Sequence, residues 1–184
     1  MVHVHPTLPL RRAPRSRLTL ADVLTAAHAL LIAPLGAGTA TAAGREEVPR
    51  IQVAFRPIIA PTEELAWEKA HRTVGAIRAH RVPRQAPGNT GSQRLIALAE
   101  RGEHFDRALW TPTAAATGGA GNSHALVGTP ETVAQALLDY DDLGVDIISA
   151  RGYDLLGDAI DFDRHVIPIV REGVAKRDAQ LAVN

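Results

Sequence analysis

His124-Ala-Leu-Val-Gly128 followed by Thr129-Pro-Glu-Thr132, and Val145-Asp-Ile-Ile-Ser-Ala150 followed by Arg151-Gly-Tyr153, read as two consecutive strand–helix units of a parallel α/β fold. Each begins with a short apolar run, ends it in glycine or polar residues, and then opens a helix. Ligands bind at such strand-to-helix junctions, because the carboxyl ends of parallel strands form the open face of these folds. Thr129-Pro130-Glu131 is a strong helix start, with an N-cap hydroxyl, proline in the first turn and an acid near the positive helix end. Val133, Leu137, Tyr140 and Leu143 follow at helical spacing, and Gly144 is the expected stop. The continuous apolar run at 145–150 predicts a buried parallel strand. A last helix is expected over about residues 155–172, with Leu156, Ile160 and Val166 on its apolar face and Pro168 kinking or shortening it.

Upstream, Ile51, Val53 and Phe55 alternate on one face, which predicts a strand. Pro57 is expected to end or bulge it, because proline lacks a ladder donor. Thr62 then caps a helix whose first turn holds Glu63 and Glu64, and Trp67, Ala70, His71, Val74 and Ile77 form its apolar stripe. His71 on that stripe reads as a packed or partly exposed side chain and not as a ligand. Residues 81–89 make a Pro/Gly/Arg connector. Ser92 is expected to cap a short helix carrying Leu95, Ile96 and Ala99. Residues 102–123 show little periodicity and read as a long loop, of the kind that serves as a lid or stays disordered.

Several segments together carry a family resemblance. Thr117-Gly-Gly-Ala-Gly121, Ala125-Leu-Val-Gly128, Thr129-Pro-Glu-Thr-Val133, Asp142-Leu-Gly-Val145 and Gly152-Tyr153 are similar, in order and spacing, to the C-terminal end of the bacterial-luciferase-like flavin-dependent monooxygenases. The alkanesulfonate monooxygenases are the subgroup most resembled. Gln52-Val-Ala-Phe-Arg56, Thr62-Glu-Glu-Leu-Ala-Trp67 and Gly91-Ser-Gln-Arg-Leu95 resemble the same family more weakly, so that the likeness runs over residues 44–174. It implies an α/β chain forming part of a TIM (β/α)8 barrel, reduced FMN as cofactor, oxygen as co-substrate, a small organic substrate and a flavin reductase as partner. A homo-oligomer is compatible with it.

Length sets a limit on that expectation. A TIM barrel takes about 250 residues, with about 200 at the low end. The chain has 184. A truncated barrel is therefore expected, with residues 44–184 as its C-terminal portion and residues 1–43 as a non-matching extension. That extension holds Arg11, Arg12, Arg15 and Arg17, then an apolar, Ala-rich run over 23–35, then small residues to Gly44. The pattern resembles an export signal, although Asp22 and His28 fit it poorly. A poorly ordered extension and a spurious or misplaced start are the other readings.

Composition excludes several functions. The formal net charge is zero and aromatic residues make up 4%, which argues against a nucleic-acid surface. There is no cysteine, hence no disulfide framework, thiolate metal site or cysteine nucleophile, and a reducing cytoplasm is the expected setting. No apolar run reaches membrane-spanning length. His124 and His165 stand alone, and Asp158, Asp161 and Asp163 read as a solvated helix face, so no metal site is expected.

The candidate site residues follow from strand ends and from the resemblance. Tyr153 matches a tyrosine of the alkanesulfonate enzymes' active site and is the candidate catalytic residue, its phenol able to donate a hydrogen bond. A turn tyrosine packing its ring is the alternative. Arg56, at the end of the first strand, stands where the family has a pocket histidine, and Ala54 stands where it has an arginine. Arg56 and Arg151 could meet an anionic group or simply face solvent. Gly118, Gly119 and Gly121 could cradle a phosphate or hinge a lid, and Gly152 lines the same region as Tyr153. The family's lid arginine precedes the Gly-Gly pair. Here Thr117 replaces it, and Asn122-Ser123 lengthen the segment that follows. Two functions stay open on the sequence: a flavin-dependent monooxygenase, and a non-catalytic remnant or interaction module without flavin binding.

Overall fold

A computed structural model describes residues 50–80, 87–119 and 123–183, together with Ala42 and Gly44. The expected export-like segment, the connector at 81–86 and Gly121 lie outside the described residues. The elements are β1 (Gln52–Ile59), α1 (Glu63–Ala79), α2 (Thr90–Arg101), β2 (His104–Phe105), β3 (Leu109–Trp110), α3 (Pro112–Thr117), β4 (Ala125–Gly128), α4 (Pro130–Asp142), β5 (Ile147–Ala150), α5 (Gly157–Asp161) and α6 (Ile167–Val183). They build one sheet in the order β2-β3-β4-β1-β5. β1 pairs in parallel with β4 and with β5, while β3 runs antiparallel to both β2 and β4.

The two strand–helix units are consecutive in sequence but not adjacent in the sheet, because β1 lies between β4 and β5. β1 joins β4 through Arg56–Ile59 and joins β5 through Gln52–Phe55. This stagger explains why Pro57 does not end the strand. Even-numbered residues of β1 point their backbone groups toward β4, as the bonds from Arg56 N–H to the His124 carbonyl and from Ala60 N–H to the Gly128 carbonyl show. The nitrogen of Pro57 points the other way, past the last paired residue of β5, where no ladder donor is needed.

Strand order also sets the helices. The chain moves from β1 to β4 in one direction and from β4 back across β1 to β5 in the other. Right-handed crossovers in opposite directions place their helices on opposite faces. Ala66, Ala70 and Val74 of α1 accordingly pack with Ile58, Trp110, Ala116, Ala125 and Val127. Val133, Leu137 and Tyr140 of α4 pack with Phe55, Ile59, Leu126 and Val166 on the other face.

Helix starts mostly follow the sequence. Thr62 and Thr129 cap α1 and α4 as expected, accepting the Leu65 and Thr132 N–H groups. α2 differs, because Asn89 is its cap and accepts the Ser92 N–H at 2.8 Å. Ser92 Oγ is thereby released to donate to the Gly119 carbonyl at 2.8 Å.

Three further expectations are corrected. Residues 102–119 are not a loose lid. They form the β2–β3 hairpin and α3, and Trp110, Thr111, Thr113 and Ala114 are buried. Two-residue strands are too short to show a period in the sequence. β5 lies at the edge of the described sheet with partly exposed residues and is not the buried parallel strand expected. The last helix is broken by a π-turn, Phe162–Val166, in which Ile167 N–H bonds the Phe162 carbonyl. A proline ring meets the carbonyl four residues back in a regular helix, and the wider turn just ahead of Pro168 relieves that contact. The turn also rotates the helix face. Val166 is buried as expected, whereas Leu156 is 72% exposed and Ile160 38%.

Candidate functional site

The carboxyl ends of β1 and β5 bring three of the candidate residues together. Arg56 leaves β1 on the face that carries Ile58, and its Nη1 donates to the Gly152 carbonyl at 3.2 Å. Its guanidinium carbon lies 5.1 Å from the ring centroid of Tyr153, in cation–π geometry. The Tyr153 ring packs in turn against the cluster of Ile58, Trp110 and Val127. A cation, a phenol and a backbone carbonyl thus converge where parallel α/β folds bind ligands. Arg151 is placed differently. Its side chain is exposed, and its N–H bonds the Phe55 carbonyl at 3.2 Å, extending the ladder by one step.

The turn that carries Tyr153 is fixed by two aspartates. Asp158 Oδ2 accepts the N–H groups of Tyr153 at 2.8 Å and of Asp154 at 3.0 Å. Asp158 Oδ1 takes the Lys69 ammonium of α1 at 2.7 Å. Asp154 Oδ1 accepts the N–H groups of Leu156 and Gly157, which starts α5. Gly152 is buried, and a Cβ there would overlap the Asp158 side chain. Asp158 is only 6% exposed, which corrects its reading as part of a solvated helix face, whereas Asp161 and Asp163 do face solvent. Burial follows from tertiary pairing with Lys69, which no local pattern announces. The spacing Asp154-x-x-x-Asp158 after Gly152-Tyr153, an acid just before a helix and one in its first turn, was the available hint.

Gly118 and Gly119 take part in a different contact. Both have left-handed backbone angles, φ 63° and 73°, and they end α3. Their N–H groups bond the Ala115 and Ala114 carbonyls at 3.0 and 2.9 Å. A phosphate cradle needs such donors free, and these two are engaged within their own helix. Gly119 docks on α2, where a Cβ would come 2.7 Å from the Ser92 carbonyl oxygen. The pair is therefore a helix stop and not a phosphate cradle. Thr117, at the position of the expected arginine, bonds the Ala114 carbonyl through Oγ1 at 3.0 Å.

At the neighbouring strand ends, Glu63 closes the gap between β1 and β4. Its Oε1 accepts the Thr129 N–H at 3.2 Å and the Thr132 hydroxyl at 2.5 Å. Behind the site, Trp67 stacks near His104 and meets Trp110 edge-on, with ring centroids 5.0 and 5.8 Å apart. Farther off, burial pushes the Asp106 carboxyl up to about 6, against the opposing hydrogen bond from Tyr140. Burial likewise raises the Tyr140 phenol above its usual range. Among the described residues, no three His, Asp or Glu side chains gather as a metal site, and no helix is long and apolar enough to cross a membrane.

A model of the luciferase-like monooxygenase family matches residues 25–147. The match begins inside the segment set apart in the sequence as an extension. Solved structures give the same picture of the fold. EDTA monooxygenase (EmoA) from Chelativorans sp. BNC1 is similar at 20% identity and a TM-score of 0.51, over 78% of this chain and 36% of that one. DmoA from Hyphomicrobium sulfonivorans is similar at 22% identity and a TM-score of 0.53, over 78% of this chain and 34% of that one. Riboflavin lyase (RcaE), solved with modified FMN and riboflavin, is 24% identical with a TM-score of 0.48, over 73% of this chain and 34% of that one. The chain spans about a third of the length of each. The likeness to EmoA and DmoA makes the described α/β layers part of a barrel of this type.

Proposed function

The chain belongs to the luciferase-like monooxygenase family, and we propose that its described residues furnish one wall of a site for flavin-dependent monooxygenation of a small organic substrate. The observation that carries this reading is the meeting of Arg56 with Gly152 and Tyr153 at the carboxyl ends of β1 and β5. In this reading the Tyr153 phenol donates a hydrogen bond to an oxygen of the substrate. Arg56 orients the ring and adds positive charge, which suits an anionic headgroup such as that of an alkanesulfonate. Reduced FMN, delivered by a separate reductase in a reducing cytoplasm, supplies the oxygen chemistry when bound.

The described residues do not complete a flavin site. Gly118 and Gly119 offer no donors to a phosphate, so its contacts must come from outside them. The same observation favours a second reading, a non-catalytic member of the family that has lost flavin binding. Anaerobic fluorescence titration of the whole chain with reduced FMN separates the two. The first reading expects weak, saturable binding. A response that never saturates supports the second.

A further inference from the structure

We propose that Asp158 is the positioning residue of this site, holding Tyr153 and the Gly152 carbonyl in place for Arg56, with Lys69 as its anchor. The inference rests on the reading of Arg56 and Tyr153 as the site. Asp158 is 6% exposed. A carboxylate that deep is unfavourable unless its oxygens are paired. Its partners are specific: Oδ2 takes two successive N–H groups, those of Tyr153 and Asp154, and Oδ1 takes Lys69. Binding two neighbouring amides with one oxygen fixes the peptide plane that precedes Tyr153. That plane carries the Gly152 carbonyl, which Arg56 bonds.

Gly152 belongs to the same device. A Cβ at this position would overlap Asp158 Cβ and Oδ2, so a glycine is what allows the carboxylate to reach the turn. Lys69 reaches Asp158 from α1, 89 positions earlier in the chain. It sets which carboxylate oxygen faces the amides. Arg56 and Lys69 thereby hold one turn from two elements, Arg56 through the Gly152 carbonyl and Lys69 through Asp158. Asp158 holds the backbone N–H of Tyr153 and Lys69 holds Asp158, so both act through the turn.

Two tyrosines in the whole chain make the test direct. Selective ring labelling with carbon-13 gives two signals, assigned by Tyr140→Phe. In Asp158→Asn a single oxygen must serve either the amides or Lys69. The Tyr153 signal should then shift, and the Tyr153 and Asp154 amides should exchange roughly tenfold faster or more as the turn opens locally. The Tyr140 signal should stay in place. A folded Asp158→Asn protein with an unmoved Tyr153 signal and unchanged amide exchange overturns the proposal. Should Asp158→Asn not fold, Lys69→Met decides, because it leaves the carboxylate in place. A moved Tyr153 signal supports the proposal and an unmoved one overturns it. None of these readouts needs turnover, so a failure of the monooxygenase reading is seen separately, in the flavin titration. In an active preparation, Asp158→Asn and Tyr153→Phe should each lower kcat, and the double variant should lose no more than Tyr153→Phe alone. Losses that multiply would show that Asp158 does not act through Tyr153.

Discussion

The guanidinium of Arg56 lies over the ring of Tyr153, 5.1 Å from its centroid, and bonds the carbonyl that immediately precedes that tyrosine. One side chain from β1 thus holds both the backbone and the ring of the turn that follows β5. Only the parallel pairing of Gln52–Phe55 with Ile147–Ala150 brings these two strand ends level.

Tyr153→Phe removes only the phenol oxygen. If the site is catalytic, losing a hydrogen bond made in the transition state should lower turnover roughly tenfold or more. The loss of stability should stay near about 1 kcal/mol. Steady-state kinetics with reduced FMN and urea unfolding on both proteins provide the comparison. Unchanged turnover with reduced stability would make Tyr153 a packing residue.

Arg56→Lys keeps the charge but loses the planar fork that serves a carbonyl and a ring at once. Stability should fall by about 1 kcal/mol, the scale of one hydrogen bond and an exposed cation–π contact. Urea unfolding measures it. A lysine variant as stable as the parent would mean that the contact with Gly152 and Tyr153 contributes nothing to the fold.

Asp106 makes stability depend on pH in a defined direction. Its carboxyl is raised to about 6 from an ordinary 3.8, chiefly by burial. A group whose pKa is higher in the folded state contributes stability that is full below its unfolded pKa and is lost as pH rises through the folded one. The window is therefore about pH 4 to 6. Asp106→Asn should abolish this fall, leaving a flatter profile between pH 4.5 and 7. Asp106 is only partly shielded from solvent, which screens the effect, so the difference should not exceed about 1 kcal/mol. The readout is the slope and not the absolute stability, because asparagine also suits the left-handed angle at this position, φ 51°. A variant with the parent's slope would show that Asp106 does not titrate in this range.

The two glycines that end α3 should respond unequally to substitution. Gly118→Ala meets open space and pays only for its φ of 63°, about 1–2 kcal/mol. Gly119→Ala adds to a φ of 73° a Cβ placed 2.7 Å from the Ser92 carbonyl oxygen, which is backbone and cannot swing aside. It should lose about 2–4 kcal/mol in urea unfolding, the range of strained or overpacked sites. Equal losses would mean that α2 and α3 are not pressed together at this point.

Much of the architecture is legible along the chain because its signals are local. Thr62 and Thr129 bond amides three residues on, and Gly144 ends a helix by its own backbone angle. Periodicity likewise gives the buried faces of α1 and α4. The same local reasoning places Tyr153 just beyond a strand. It fails for residues 104–117, where elements of two to six residues carry no readable period, and for Ser92, whose capping role passes to a neighbour three positions away.

By itself, then, the sequence determined the α/β class and the two capped helices, which depend on contacts within a few residues, and it carried the family resemblance. Tertiary structure decided the rest. It set β1 between β4 and β5, put the 145–150 run at an edge, and engaged the Gly118 and Gly119 donors within α3. It also turned Asp158 from a surface acid into a buried partner of Lys69, 89 positions away in the chain. The physical reason is common to these cases. A hydrogen-bonding group reads as solvent-facing or ligand-facing from its neighbours in sequence, but packing chooses its partner, and packing is set by which distant elements the strand order brings together.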